Sequence, residues 1–275
     1  MVRVRYSFGS RHTGRLENIR RQKEKFPEIA RKVVEISDIV LEVLDARFAG
    51  KMRNYELEKL VQSKGKKLIY VLNKSDLLDG GGGVFRFKPR VFVSTKTRDG
   101  IKKLREKIIV EAKKLRDEKR KRVHVGVIGY PNAGKSSLIN LLARRASARA
   151  SKQAGFTKGI QKIRFAEKLL LLDTPGVIPV PKYSSSKLSK KSEDVILGAR
   201  SAANLKEPEA VFDKLFLSYA EKLKSYYGIE AENSEEFLEL LCMKKSFLKK
   251  GGKPNTARAA HLVLSDFQDG RIRSG

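Results

Sequence analysis

Hydrophobic positions change rhythm twice along this chain. Lys25 to Ser37 carries apolar residues at helical spacing, with Phe26, Ile29, Ala30, Val33, Val34 and Ile36 on one face. Ile39 to Asp45 follows as an almost unbroken apolar run, the mark of a strand covered on both faces. Lys67 to Leu72, Arg90 to Ser94, Val123 to Ile128 and Lys168 to Asp173 read as further strands, and the alternating Gln161 to Phe165 as an edge strand. Asn54 to Ser63, Gly100 to Lys121 and Ser137 to Arg145 read as the helices between them, while Gly80 to Gly83 can only be a loop. Strands alternating with helices predict an α/β fold, a parallel-rich sheet with helices on both faces. After Pro181 the texture changes. Residues 182–191 are Ser/Lys-rich and linker-like, and Glu193 to Arg271 shows only helical periodicity, predicting a small all-α domain. Residues 1–22 are Arg-rich and poor in apolar side chains. The expected organisation is a basic arm over 1–22, an α/β domain over 23–181, and a linker with an α-helical domain over 182–275.

The strand at Val123 to Ile128 runs into Gly129-Tyr130-Pro131-Asn132-Ala133-Gly134-Lys135-Ser136, a fit to G-x-x-x-x-G-K-[ST] without mismatch. Strand, glycine loop and helix in that order make a phosphate cradle. The backbone N–H groups of Asn132, Ala133, Gly134, Lys135, Ser136 and Ser137 turn toward an anion at a helix N-terminus. In this reading Lys135 reaches the β- and γ-phosphates and the Ser136 hydroxyl ligates Mg²⁺. Leu169 to Leu172 deliver Asp173 to the sheet edge, followed by Thr174-Pro175-Gly176. Asp173 is placed to hold Mg²⁺ through water, and the Gly176 N–H to sense the γ-phosphate. Thr157, between the two elements, offers a hydroxyl that completes the Mg²⁺ shell when a triphosphate is bound.

Asn73-Lys74-Ser75-Asp76, at the end of a buried strand, is the base-reading element. An ionised Asp76 accepts two hydrogen bonds from the guanine N1–H and N2 amino group; adenine lacks that donor pair and would leave a buried carboxylate unpaired. Asn73 is expected on the base edge, with the Lys74 stem along the ring. Ser94-Thr95-Lys96, at another strand end, is expected to add a backbone N–H to the guanine oxygen. The nucleotide is therefore GTP or GDP.

Composition extends this picture to a partner. Sixty Lys+Arg against 31 Asp+Glu leave a formal charge of +29, more than a triphosphate pocket requires, and favour a polyanion, nucleic acid before membrane. The N-terminal arm, Lys113-Lys114-Leu115-Arg116 through Lys119 to Arg122, and Lys244-Lys245 with Lys249-Lys250 and Lys253 form the expected RNA surface. Cys242 is the only cysteine, which excludes an intramolecular disulfide and suits a reducing compartment. No apolar run reaches the ~18 residues of a spanning helix. The expectation is a soluble, cytoplasmic monomer.

The order of these elements, with NKSD and Ser94-Thr95-Lys96 ahead of the phosphate loop, resembles the circularly permuted GTPases of the YlqF/RbgA (MMR1/HSR1) type, which act in ribosome assembly. The resemblance spans roughly residues 30–275. It rests on Leu44-Asp45-Ala46-Arg47, the PNAGKSSLIN stretch from Pro131, the GFTKG stretch around Thr157, Leu171-Leu172-Asp173-Thr174-Pro175-Gly176, and a late Phe237-Leu238 with Gly251-Gly252-Lys253-Pro254. Phe48 stands where a proline often follows the Asp-Ala-Arg segment. The resemblance implies GTP hydrolysis, binding to ribosomal RNA or a large-subunit precursor, and a K⁺ ion at Asn132. Val177 and Ile178 follow Gly176, and neither orients a water, so slow intrinsic hydrolysis is expected, stimulated by K⁺ and ribosomal particles. His12, on the basic arm, is a candidate for positioning that water. Two alternatives stay open: a non-hydrolysing GTP-dependent RNA-binding module, and a permuted GTPase of another pathway such as small-subunit maturation.

Overall fold

The computed structural model describes residues 28–78, 85–115, 122–143, 161–166, 168–173, 187–198, 202 and 205–272. A helix over residues 28–36 (α1) leads into β1, Ile39–Asp45, all of whose residues are buried. The C-terminal carbonyls of α1 are capped by the ammonium of Lys66, which donates to Val34 O (2.8 Å), Ser37 O (2.7 Å) and Glu35 O. After a 3₁₀ turn (Ala46–Phe48) and the short α2 (Ala49–Met52) comes α3, Tyr55–Ser63, whose first turn is closed by Asn54 Oδ1 accepting from Leu57 N at 3.2 Å. Then follow β2 (Lys67–Asn73), β3 (Arg90–Phe92), α4 (Ile101–Lys114), β4 (Val123–Gly129), α5 (Lys135–Ala143), β5 (Gln161–Ala166) and β6 (Leu169–Asp173).

These strands form one six-stranded sheet in the order β3-β2-β1-β4-β6-β5. Every pairing is parallel except that of β5 with β6, so the alternating segment is indeed an antiparallel edge strand. Alternation along β1 and β4 divides the core. Val40, Ile128 and Leu172 face Ala30, Val33 and Val34 of α1 and Leu57 and Val61 of α3. Ile39, Leu41, Val43, Val125 and Val127 face Leu104 and Ile108 of α4 and Leu138 and Leu142 of α5. Glu42 lies on the first face, fully buried. Burial, and next the charge of Glu58, raise its pKa well above 4.5 even though the Asn54 N–H bonds it at 2.7 Å.

Beyond the sheet lie α6 (Lys187–Ile196), α7 (Pro208–Tyr227), α8 (Ser234–Lys245) and α9 (Thr256–Gln268). The stretch read as linker through residue 191 is thus helical from Lys187 onward. Its first turns are mostly polar in sequence, and among the described side chains Val195 and Leu197, at its end, dock it on the core. Phe212 and Phe216 of α7 stack around Phe237 of α8 at 5.6 and 5.5 Å between centroids. Cys242 is buried among them, as its apolar setting implies. This helical unit is continuous with the α/β core, for one hydrophobic cluster runs from Leu138 through Leu197 to Phe237. The expected helix beyond Leu115, the N-terminal arm with His12, and the glycine run lie outside the described residues.

Candidate nucleotide-binding site

The carboxyl ends of β1, β2, β4 and β6 place Asp45, Asn73, Gly129 and Asp173 along one sheet edge. From β1 the chain winds outward through β2 to β3, and from β4 it winds the other way through β6, so β1 and β4 flank the switch point where open α/β sheets bind ligands.

The phosphate loop fills that point. Asn132 and Gly134 adopt positive φ of 57° and 92°, which turns the loop tightly into α5. Lys135 is buried and curls back to donate to Tyr130 O at 2.7 Å. Ser136 and Ser137 stand exposed in the first turn of α5. An exposed hydroxyl at this helix start, together with a carboxylate residue ending the strand paired in parallel with β4, is the hard oxygen set that Mg²⁺ takes alongside phosphate oxygens and water. Thr157 and Gly176 lie outside the described residues, as does the side chain of Asp173.

The base-reading elements are tied to this loop through Asn73. Its side chain is fully buried; Nδ2 donates to Ala133 O at 2.8 Å and Oδ1 accepts from Thr95 N at 3.1 Å. A Cβ on Gly134 would lie 2.1 Å from Asn73 Nδ2. Each polar group of Asn73 thus bonds backbone of a neighbouring loop, which ties the three loops together. In the Ser94-Thr95-Lys96 stretch, Ser94 N donates to Asp99 O (3.0 Å), Thr95 N to Asn73 Oδ1 (3.1 Å) and Lys96 N to Ser94 Oγ (3.2 Å). The buried Ser94 hydroxyl donates to Asp76 Oδ1 at 2.6 Å and fixes that carboxylate.

Lys74 follows in left-handed backbone (φ 60°), and its ammonium meets Asp45 Oδ2 at 2.9 Å. Asp45 also accepts from Arg47 Nη2 at 2.8 Å and from Arg47 Nε at 3.0 Å. Burial alone would raise the Asp45 carboxyl; the hydrogen bonds and charge of Arg47, then those of Lys74, more than offset it and hold its pKa below the ordinary value. Sequence reasoning gave Asp45 and Arg47 no role in the site. Their signal was an aspartate closing a wholly apolar strand, a place where an acid needs partners. The phosphate loop also touches α6: Tyr130 Oη donates to Asp194 Oδ1 at 3.1 Å and Asn132 Nδ2 to Gly198 O at 2.6 Å.

Comparison with known proteins agrees with this architecture. Residues 124–226 match the family model described as 50S ribosome-binding GTPase. The chain is similar to a GTP-binding protein of Methanocaldococcus jannaschii, 39% identical over 92% of this chain and 68% of that protein. It is 30% identical to the nuclear GTP-binding protein NUG1 of Saccharomyces cerevisiae over 92% of this chain and 56% of that one. The nucleolar GTP-binding protein 2 of Schizosaccharomyces pombe is 32% identical over 88% of this chain and 46% of its own length. The chain thus spans about half the length of these two eukaryotic relatives. Its fold is that of YlqF from T. maritima: the GNP-bound structure aligns with a TM-score of 0.62, 24% identity and coverage of 91% of this chain and 96% of that one. Because its base-reading strand ends precede the phosphate loop in sequence yet join it in space, and the archaeal relative shares that chain nearly end to end, the protein belongs to the circularly permuted GTPases of the YlqF type.

Proposed function

We propose that this chain binds GTP with Mg²⁺, hydrolyses it to GDP and phosphate, and uses the cycle as a switch in ribosome assembly, acting on the large subunit through ribosomal RNA. The observation that carries the nucleotide reading is Asn73, which locks the phosphate loop to the Asp76 and Ser94 loops so that phosphates and base are held by one frame. Lys135 would exchange the Tyr130 carbonyl for phosphate oxygens, and Ser136 and Asp173 would hold Mg²⁺, which neutralises charge on the β- and γ-oxygens. Thr157 and the Gly176 N–H would follow the γ-phosphate and let go once it leaves. Asn132 would offer its amide oxygen to K⁺. No side chain able to orient water follows Gly176 directly, so slow turnover awaiting a stimulating particle is the consistent mode.

An RNA surface is supported by exposed Lys245, Lys249, Lys250 and Lys253, the last three on a small hairpin closed by the bridge between Leu248 and Pro254. Lys244, counted among these from sequence, is instead occupied at the end of α7, donating to Tyr227 O at 2.6 Å and Gly228 O at 3.1 Å. The match to a family of 50S ribosome-binding GTPases favours a ribosomal particle as partner. The test is hydrolysis of GTP against ATP, in K⁺ and in Na⁺, with and without large ribosomal subunits. GTP-only turnover raised by K⁺ and by the subunit is the expected result. Tight GTP binding without turnover under any condition would leave a binding module, and equal use of ATP would overturn the reading of Asp76.

A further inference from the structure

The buried pair Asp45–Arg47 lies between the base-reading loop and the helical unit. Arg47, its side chain 2% exposed, holds Asp45 with one edge of its guanidinium and with Nη1 donates to Phe267 O at 2.9 Å, a carbonyl in the last turn of α9. This carbonyl, which also accepts from Gly270 N at 3.2 Å, carries the negative end of the helix dipole, which suits a guanidinium. The guanidinium is also stacked between the Phe48 ring (5.0 Å) and the Phe267 ring (5.6 Å). The other face of Asp45 belongs to Lys74. A continuous path of charge-assisted hydrogen bonds therefore runs Lys74–Asp45–Arg47–α9.

A second, separate contact joins the same two ends. Gly270, just past α9 with φ 72°, lies so close to the NKSD loop that a Cβ there would sit 2.4 Å from Leu77 Cδ1. A cavity of about 470 Å³ lies beside Arg47, Phe48, Lys51, Glu193, Lys214 and Tyr219. Tyr219, where α7 departs from helical geometry (φ −137°), leans over it onto Phe267 at 4.9 Å. Among the described residues, the Arg47 bond to α9, the Phe48–Phe267 ring contact at 6.0 Å and the approach of Gly270 to Leu77 join α9 to this side of the sheet.

We propose that Asp45 and Arg47 are positioning residues for the guanine nucleotide, holding Lys74 in place and locking the base-reading loop to the end of α9, so that base occupancy and docking of the helical unit strengthen one another. The inference rests on the nucleotide reading above. A ligand that orders Lys74 must favour whatever arrangement Lys74, through Asp45 and Arg47, favours at α9, and the coupling is reciprocal. Arginine suits this place because its rigid planar fork bonds Asp45 through Nε and Nη2 and, from Nη1, the Phe267 carbonyl, a fixed span that a compact ammonium does not cover.

Two measurements on the full chain test this. The first is amide hydrogen exchange of the unmodified protein with and without GDP and Mg²⁺, reading peptides over residues 264–272. Slower exchange there on GDP binding is expected; binding with unchanged exchange would overturn the coupling while leaving the nucleotide reading intact. The second is Arg47→Lys, which keeps a cation beside Asp45. Its GDP affinity is expected to fall about 10-fold, within the range usual for coupled sites, and GDP-dependent protection of α9 to vanish. A merely structural role would lower melting temperature without removing the difference between GDP-bound and free protein. Unaltered affinity with protection retained in Arg47→Lys would overturn the proposal. Failure of the unmodified chain to bind GDP at all would overturn both readings, and is seen in the same titration.

Discussion

Replacing Asn73 by alanine separates loop assembly from base reading. The side chain is fully buried and makes two hydrogen bonds to backbone, at 2.8 and 3.1 Å. Each is worth about 1 kcal/mol net, and the Thr95 N–H and Ala133 carbonyl left behind add a desolvation cost, for a total of roughly 2–4 kcal/mol. If the three loops stay together without nucleotide, the loss appears as stability, roughly 5–15 °C in melting temperature for a chain of this size. If they part, it appears in binding, roughly 30- to 1000-fold in GDP affinity. The assay is thermal melting with and without GDP, joined to titrations of GDP and IDP, which lacks the N2 amino group. Asn73→Ala should weaken both nucleotides alike, keeping their ratio, whereas Asp76→Ala should collapse the ratio toward one. Asn73→Asp should do no better than alanine, because an acceptor would then face the Ala133 carbonyl. A variant melting within about 2 °C of the parent with GDP affinity intact would refute the framing role, and an altered GDP/IDP ratio would return Asn73 to the base.

Gly134→Ala should abolish GDP binding while leaving far-UV circular dichroism native, since its Cβ would collide with Asn73 Nδ2 in a left-handed conformation. Glu42→Gln should be stabilising in a pH-dependent way. The native carboxyl keeps its proton above 4.5, whereas the unfolded chain loses it, so the parent loses stability as pH rises from there toward the raised native value. The melting-temperature advantage of the variant should therefore be larger at pH 8 than at pH 5, and an advantage that does not vary with pH would count against a protonated Glu42. Replacing Lys249, Lys250 and Lys253 together by glutamine should lower the salt slope of RNA binding by about 2, at ~0.7 per single-strand phosphate contact, measured by titration across a salt series.

Much of the sheet was legible because its strands are either wholly apolar or strictly alternating, and the phosphate loop because its glycines and lysine have few other uses in that setting. For Asn73, a sequence shows that an amide stands at a strand end without showing that Ala133 and Thr95 of neighbouring loops will meet it. Arg47 was invisible as a functional residue. Its partner Phe267 is 220 residues away, and only the docking of α9 brings that carbonyl to it. The start of α6 was hidden by its polar first turns, and Lys244 by the ordinary habit of lysines to face water, where here it closes a helix end.

The permuted strand order also sets a timetable. β1, buried along its whole length, pairs with β2 on one side and with β4 on the other, and β4 is made only from Val123 onward. During synthesis at ~5–20 residues per second the guanine half is complete while one edge of β1 waits roughly 4 to 15 s for its neighbour. An open, uncharged edge is the part of a sheet most prone to pair with a stranger. The nascent chain is therefore most exposed midway through translation, until β4 closes the free edge of β1, with β6 still to follow on the far side of β4.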